Sequence, residues 1–230
     1  MASKELQERF ESYEKYKKKH ISKENKSGVD DKLITEASKA AEYALTVEKD
    51  ISYALDKLAQ VKNWINEWIS KDTKYSDIWD LEKAFWGKQQ IELLDKFYYL
   101  TKLESFYKLD SFIFYMEKNR EPSKRFYLPR KNSLEIVCRD LEDLENRVIK
   151  FYGLSMPSRV GKSTICIFFL AWVSMKRPNS HNAMGGHSGI LAKGFYKELS
   201  NLFLTEEYTF RELYEFYNPK YQGKKMPTAA

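Results

Sequence analysis

The chain has 230 residues, enough for one large domain or two smaller ones, and its 43% hydrophobic share supports a packed core. With 9 Gly and 6 Pro it is not a low-complexity chain and fits poorly with an all-β one, and its longest apolar run, Ile165–Val173, is too short to span a bilayer. The net charge of +6 suits acidic partners such as nucleic acid, and it equally suits plain solubility.

Two cysteines, Cys138 and Cys166, lack the Cys or His neighbours that a zinc site needs. The first twenty residues hold no apolar run of the kind a secretory signal carries. Both features point to a reducing, cytoplasmic setting with no membrane partner.

Residues 1–28 are rich in Lys and Glu and read as a solvated helix, with a basic cluster at Lys15, Lys17, Lys18 and Lys19. Asp30 and Asp31 then open a long helix. Its apolar positions are Leu33, Ala37, Ala40, Ala44, Val47, Ile51, Ala54, Leu58, Val61, Ile65 and Trp68, in an unbroken 4-3 spacing. That period predicts a coiled-coil-like seam, paired inside the chain as a hairpin or with a helix of another subunit.

Ser70–Thr73 reads as the turn. A second helical region runs from about Ser76, a plausible N-cap, to Lys118, with an interruption near Gly87. Its many aromatic residues fit a core better than a base-stacking platform, because charges interleave at helical spacing. Asn119–Ser123 breaks the pattern and marks the expected domain boundary. Arg125–Leu128 reads as extended, and Ser133 as the N-cap of a helix to Glu145.

Next comes a β-branched and aromatic run, Val148–Tyr152, then a short loop and an apolar helix, Ile165–Val173, ended by Arg177–Asn179. His181–Gly186 reads as a second strand, and Ser188 as the cap of a helix from Gly189 to Phe203. Strand, helix, strand, helix in order predicts an α/β fold with parallel strands and a right-handed crossover. Residues 205–230 show no clear unit.

The loop between the first strand and its helix, SMPSRVGKST, carries the chemistry. A phosphate site needs inward-facing backbone N–H groups, a helix N-terminus, a Lys and a hydroxyl for Mg²⁺. Ser158, Arg159 and Val160 form the body of the loop. Gly161 allows close backbone approach, Lys162 meets the β- and γ-phosphates of ATP, Ser163 ligates Mg²⁺, and Thr164 supports the α-phosphate side. The usual first Gly is replaced by Met156, with Pro157 to stiffen the loop. Arg159 is either a finger that stabilises charge in hydrolysis or a partner for a local carboxylate. His187 follows the second strand as either a nucleotide contact or a surface residue.

The run SMPSRVGKSTICIFFLAW, followed by MGGHSGILAKGFYKEL, resembles the ATPase motor of tailed-phage terminase large subunits, and so does the upstream KNREPSKRFYLPRKNSL. The likeness covers about residues 75–205. It implies that Arg159 and Lys162 are catalytic, that ATP and Mg²⁺ are the cofactors, and that Tyr127 and Arg130 are adenine-side candidates. It implies double-stranded DNA, a terminase small subunit and the portal of the procapsid as partners of the intact motor. The chain then divides into a helical N-terminal region, 1–120, and a partial P-loop ATPase domain, 121–230. The family's Walker B acids and nuclease domain have no counterpart in this sequence. Glu206, Glu207, Glu212 and Glu215 follow no apolar strand. The chain therefore reads as a fragment, a truncated prophage product or an engineered piece, with negligible turnover alone. The rival readings are a non-enzymatic helical interaction module with a vestigial loop, and another P-loop ATPase such as a helicase.

Overall fold

A computed structural model describes residues 31–87 and 92–224. The helix expected over 1–28 lies outside the described residues, as does the tail beyond Lys224. The described residues form two compact units, divided between Leu103 and Glu104. The break at Asn119–Ser123 lies inside the second unit.

Every regular element among the described residues is a helix, and none is a strand. The α/β expectation, with its parallel βαβ core, is corrected by this. Val148 and Ile149 donate back to the Asp143 carbonyl, at 2.9 and 3.4 Å, and so serve as the close of a helix. Residues 151–157 and 181–186 are irregular and form no sheet ladder among the described residues. Strand propensity records how a side chain fits a pleated, half-buried surface. Without a neighbouring strand to take the backbone hydrogen bonds, the same residues stay irregular.

In the first unit, α1 spans Asp31–Tyr43, a π-helical turn covers Ala44–Glu48, and α2 spans Ile51–Asp72. The single long helix read from the 4-3 spacing is therefore two. Lys49 turns left-handed, φ 56°, and the Asp50 carboxylate accepts from Tyr53 N at 3.2 Å to start α2. A capping side chain offers the backbone an alternative to continuing the helix. The seam survives on both sides of the break. Ala37, Ala40, Ala44, Ala54, Leu58, Val61 and Ile65 are buried, and α1 packs against α2. Val47 and Ile51, at the joint, are 62% and 38% exposed. Most of the seam is thus consumed inside the unit.

The helix α2 runs past the expected turn at Ser70, and Thr73 closes it by donating its hydroxyl to the Ile69 carbonyl at 2.6 Å. Asp77, rather than Ser76, caps α3, Ile78–Phe85, and its carboxylate accepts from the amides of Trp79 and Asp80, both at 2.9 Å. The helix α4, Glu92–Glu104, buries Leu94, Phe97, Tyr98 and Leu100. Tyr98 donates to the buried Glu82 carboxylate at 2.5 Å, and Trp79 meets Phe97 edge-on. The helical region expected to Lys118 does break near Gly87, where α3 ends at Phe85, and it breaks a second time, unexpectedly, between α4 and a separate α5, Leu109–Met116.

In the second unit, all of α5 is buried except Asp110. Around it stand α6, Lys131–Glu145, α7, Lys162–Lys176, α8, Gly189–Leu204, and α9, Phe210–Tyr217. The helix α6 begins two residues before Ser133, which is not its cap. Arg125–Leu128 is not a strand; 3₁₀ turns at Pro122–Lys124 and Leu128–Arg130 flank Arg125–Tyr127. The helix α9 lies in the stretch where no unit was expected, because Phe210, Leu213 and Tyr214 share one buried face. Trp172, fully buried on α7, donates its indole N–H to the Ser105 carbonyl at 2.8 Å and locks α7 in place. Ser188 does cap α8, accepting from Leu191 N at 3.3 Å. No helix among the described residues is long and apolar enough to cross a membrane.

Candidate phosphate site at the start of helix α7

The first hydrogen bond of α7 runs from Ile165 N to Gly161 O at 2.9 Å. The amides of Lys162, Ser163 and Thr164 precede it and are the open donors of the helix N-terminus. Gly161 precedes them with φ 106° and ψ 22°, a left-handed conformation that glycine adopts without strain. Apolar residues keep the helix in place: Ile165, Ile167, Phe168, Ala171 and Trp172 are all buried. The start of the helix is the part left to face solvent, with Ser163 exposed.

Three non-glycine residues among those described have positive φ: Lys49, Arg147 and Arg159. Lys49 and Arg147 lie just after helices, where a left-handed residue commonly ends the spiral. Arg159, φ 65°, is the exception, since it sits in a loop ahead of a helix. Its side chain is exposed and pairs with no described carboxylate. The alternative of a local ion pair is thus not what holds it there.

Lys162 folds back and donates its ammonium to the Met156 carbonyl, closing residues 156–162 into a ring. Loop backbone, Lys162 and the open amides of α7 therefore converge at one place. Ser158 is exposed, and Val160 and Thr164 are half-buried on the same short arc. The donor set fits an anion. The Ser163 hydroxyl, together with phosphate oxygens, is the oxygen chemistry that Mg²⁺ takes. No group of three or more Cys, His, Asp and Glu among the described residues offers a metal cage.

Two further residues reach the loop, one expected and one missed. Arg130 lies against Gly161, and its guanidinium also covers the Phe126 ring at 5.2 Å. Phe126 itself went unnoticed in the sequence. A Cβ at Gly161 would fall 2.7 Å from Phe126 Cζ, so that ring sits directly on the glycine. Tyr127 is not part of the site. It is fully buried, edge-on to Phe114 at 4.8 Å. Nothing in the spacing distinguishes Phe126 from Tyr127. Which ring faces the loop depends on a buried acid elsewhere in the unit.

That acid is Glu117, only 1% exposed. It accepts from the Phe126 and Tyr127 amides at 2.8 and 3.0 Å and pairs with Arg120 at 3.2 Å. Desolvation pushes its carboxyl up from the ordinary value, against the pull of those two amides and of Arg120. Burial likewise raises both thiols, Cys138 to about 12.

The acids near the C-terminal end have structural partners. Glu207 pairs with Arg120 at 3.4 Å, Glu212 with Lys118 at 2.8 Å and Glu215 with Arg211 at 2.9 Å. His187 is exposed beside the start of α8. No protein family, curated protein or solved structure matches the chain.

Proposed function

We propose that residues 156–164 bind the phosphates of ATP with Mg²⁺, and that the chain is part of a tailed-phage DNA-packaging terminase large subunit working in the bacterial cytoplasm. The observation that carries the phosphate site is the left-handed Arg159, held in a loop that Lys162 closes onto Met156, ahead of the open amides of α7. Strained backbone kept where no helix end calls for it points to a functional loop. Gly161 lets the loop backbone approach the phosphates, Lys162 exchanges the Met156 carbonyl for phosphate oxygen, and Ser163 takes Mg²⁺. Arg159 pairs with no carboxylate among the described residues and reaches the transferring phosphoryl group. Double-stranded DNA, the small subunit and the procapsid portal belong to the same proposal and rest on the sequence resemblance.

Turnover by this chain is expected to be negligible. Glu207, Glu212 and Glu215 are engaged by cations, which leaves them poorly placed to hold an attacking water. Titration calorimetry with Mg·ATP tests the site. Binding by the wild type that disappears in Lys162→Ala is the expected result, and unchanged affinity in that variant sinks the assignment.

A further inference from the structure

The loop lacks a sheet to hold it. Between Lys150 and Val160 no main-chain group takes part in a backbone–backbone hydrogen bond among the described residues. Side-chain contacts keep its shape: Tyr152 is hydrogen-bonded to Asp140 near its start, and two more act at its end, the fold-back of Lys162 on Met156 and the Phe126 ring pressed on Gly161. The last of these is built with unusual care for a surface turn.

Three residues fix Phe126 from the far side: Phe168, Arg130 and Glu117. The Phe126 ring stacks on Phe168 of α7, with centroids 5.8 Å apart and planes 16° from parallel. Arg130 covers the ring and donates to the Phe126 carbonyl at 2.9 Å. The backbone on either side is clamped by Glu117, which takes the Phe126 amide on one carboxylate oxygen and the Tyr127 amide on the other. Arg120 braces the clamp, since its guanidinium pairs with Glu117 and lies over the Tyr208 ring at 4.8 Å. A buried carboxylate that accepts two consecutive amides fixes the peptide plane between them, and with it the direction of the side chain. The ring so directed wedges between α7 and the glycine that starts it.

Resting on the phosphate-site reading, we propose that Glu117 is a positioning residue for the loop: through Phe126 it holds Gly161, and the amides that follow, in the form that receives phosphate. Glu117 touches no phosphate itself. Its effect on binding passes entirely through the ring. Glu117→Gln replaces one acceptor oxygen by an amide donor that faces a backbone N–H. The clamp then loses one bond and gains a donor–donor clash. Phe126→Leu removes the ring and leaves the clamp in place.

The test uses the full chain and two readouts, the Gly161 Hα resonance and calorimetric affinity for Mg·ATP and for inorganic pyrophosphate. An aromatic ring against Gly161 displaces that resonance from its ordinary position, so its return reports loss of the contact. Glu117→Gln is expected to return the resonance and weaken both ligands by about tenfold, the equivalent of about 1.4 kcal/mol. Phe126→Leu should do the same, and the double variant no more than either single one, because both act on one contact. A role confined to stability would lower Tm and leave affinity and the resonance unchanged well below the transition. That outcome overturns the proposal, as do additive losses in the double variant. Should Glu117→Gln fail to fold, Phe126→Leu decides: wild-type affinity there overturns it. Binding that needs Lys162 but neither Glu117 nor Phe126 sinks this proposal alone. A wild type that binds neither ligand sinks the phosphate site and this proposal together.

Discussion

The helix after the Gly-Lys-Ser-Thr loop buries Ile165, Ile167, Phe168, Ala171, Trp172, Val173 and Met175, whereas the helix after the second irregular segment buries Leu202 alone. Both helices follow an irregular stretch, both start at a glycine or a capping serine, and they are of similar length, 15 and 16 residues. Their surroundings differ. The helix α7 packs against α5, α8 and α9, while Ile190 and Tyr196 on α8 stay 87% and 53% exposed. The same local pattern thus yields a rigid platform in one place and a surface helix in the other. A phosphate site needs the platform, because open amides bind an anion well only when they are already aimed at it.

Trp172→Ala is expected to break the comparison most. It removes a fully buried indole and its bond to Ser105, at a cost of about 3–5 kcal/mol. Urea denaturation should show most or all of the second unit's stability gone, while Tyr196→Ala on α8 should stay within about 0.5 kcal/mol of wild type.

The glycines sharpen it next. Gly161→Ala meets Phe126 and forces a side chain into the left-handed region, so a loss of about 2 kcal/mol is expected in the same assay. Gly194, inside α8, has nothing within 4 Å of a Cβ, and Gly194→Ala should stabilise by up to about 1 kcal/mol. A Gly161→Ala change as mild as Gly194→Ala would remove the Phe126 contact from the account.

The smallest effect concerns the polar anchors of the better-packed side. Glu142 of α6 accepts from the Leu109 amide at 2.7 Å and from Lys108 at 3.3 Å, and so caps the start of α5. Desolvation raises its carboxyl above the ordinary value of 4.5, against the pull of Lys108. The folded state therefore holds the proton more tightly than the unfolded state. Its stabilising contribution is complete below the unfolded value and is lost as pH rises through the folded one. The Tm gap of wild type over Glu142→Gln should shrink along that rise. A gap that widens instead would show the ion pair with Lys108 outweighing burial.

The parts of this molecule legible in sequence were those set within a few residues. The apolar spacing marks the buried positions of α1 and α2, and Ser188 announces α8. The loop residues Gly161, Lys162 and Ser163 could be placed at a helix start before any fold was known. Local chemistry also misled where two local signals competed. Asp50 won over an unbroken seam, and Asp77 over Ser76, because a carboxylate that reaches two or three residues ahead satisfies amides the helix cannot.

What the sequence by itself determined is therefore the periodicity of the buried faces, the Ser188 cap and the placement of Gly161, Lys162 and Ser163 at a helix start, all of them products of contacts between near neighbours. Whether β-branched residues at 148–152 become a strand was decided by tertiary structure, since a ladder needs a partner backbone that no local pattern supplies. The choice of Phe126 over Tyr127 as the ring on Gly161 was also tertiary. It depends on Glu117, 9 residues away, and on Phe168, a helix away, and both act only once the chain has folded around α5.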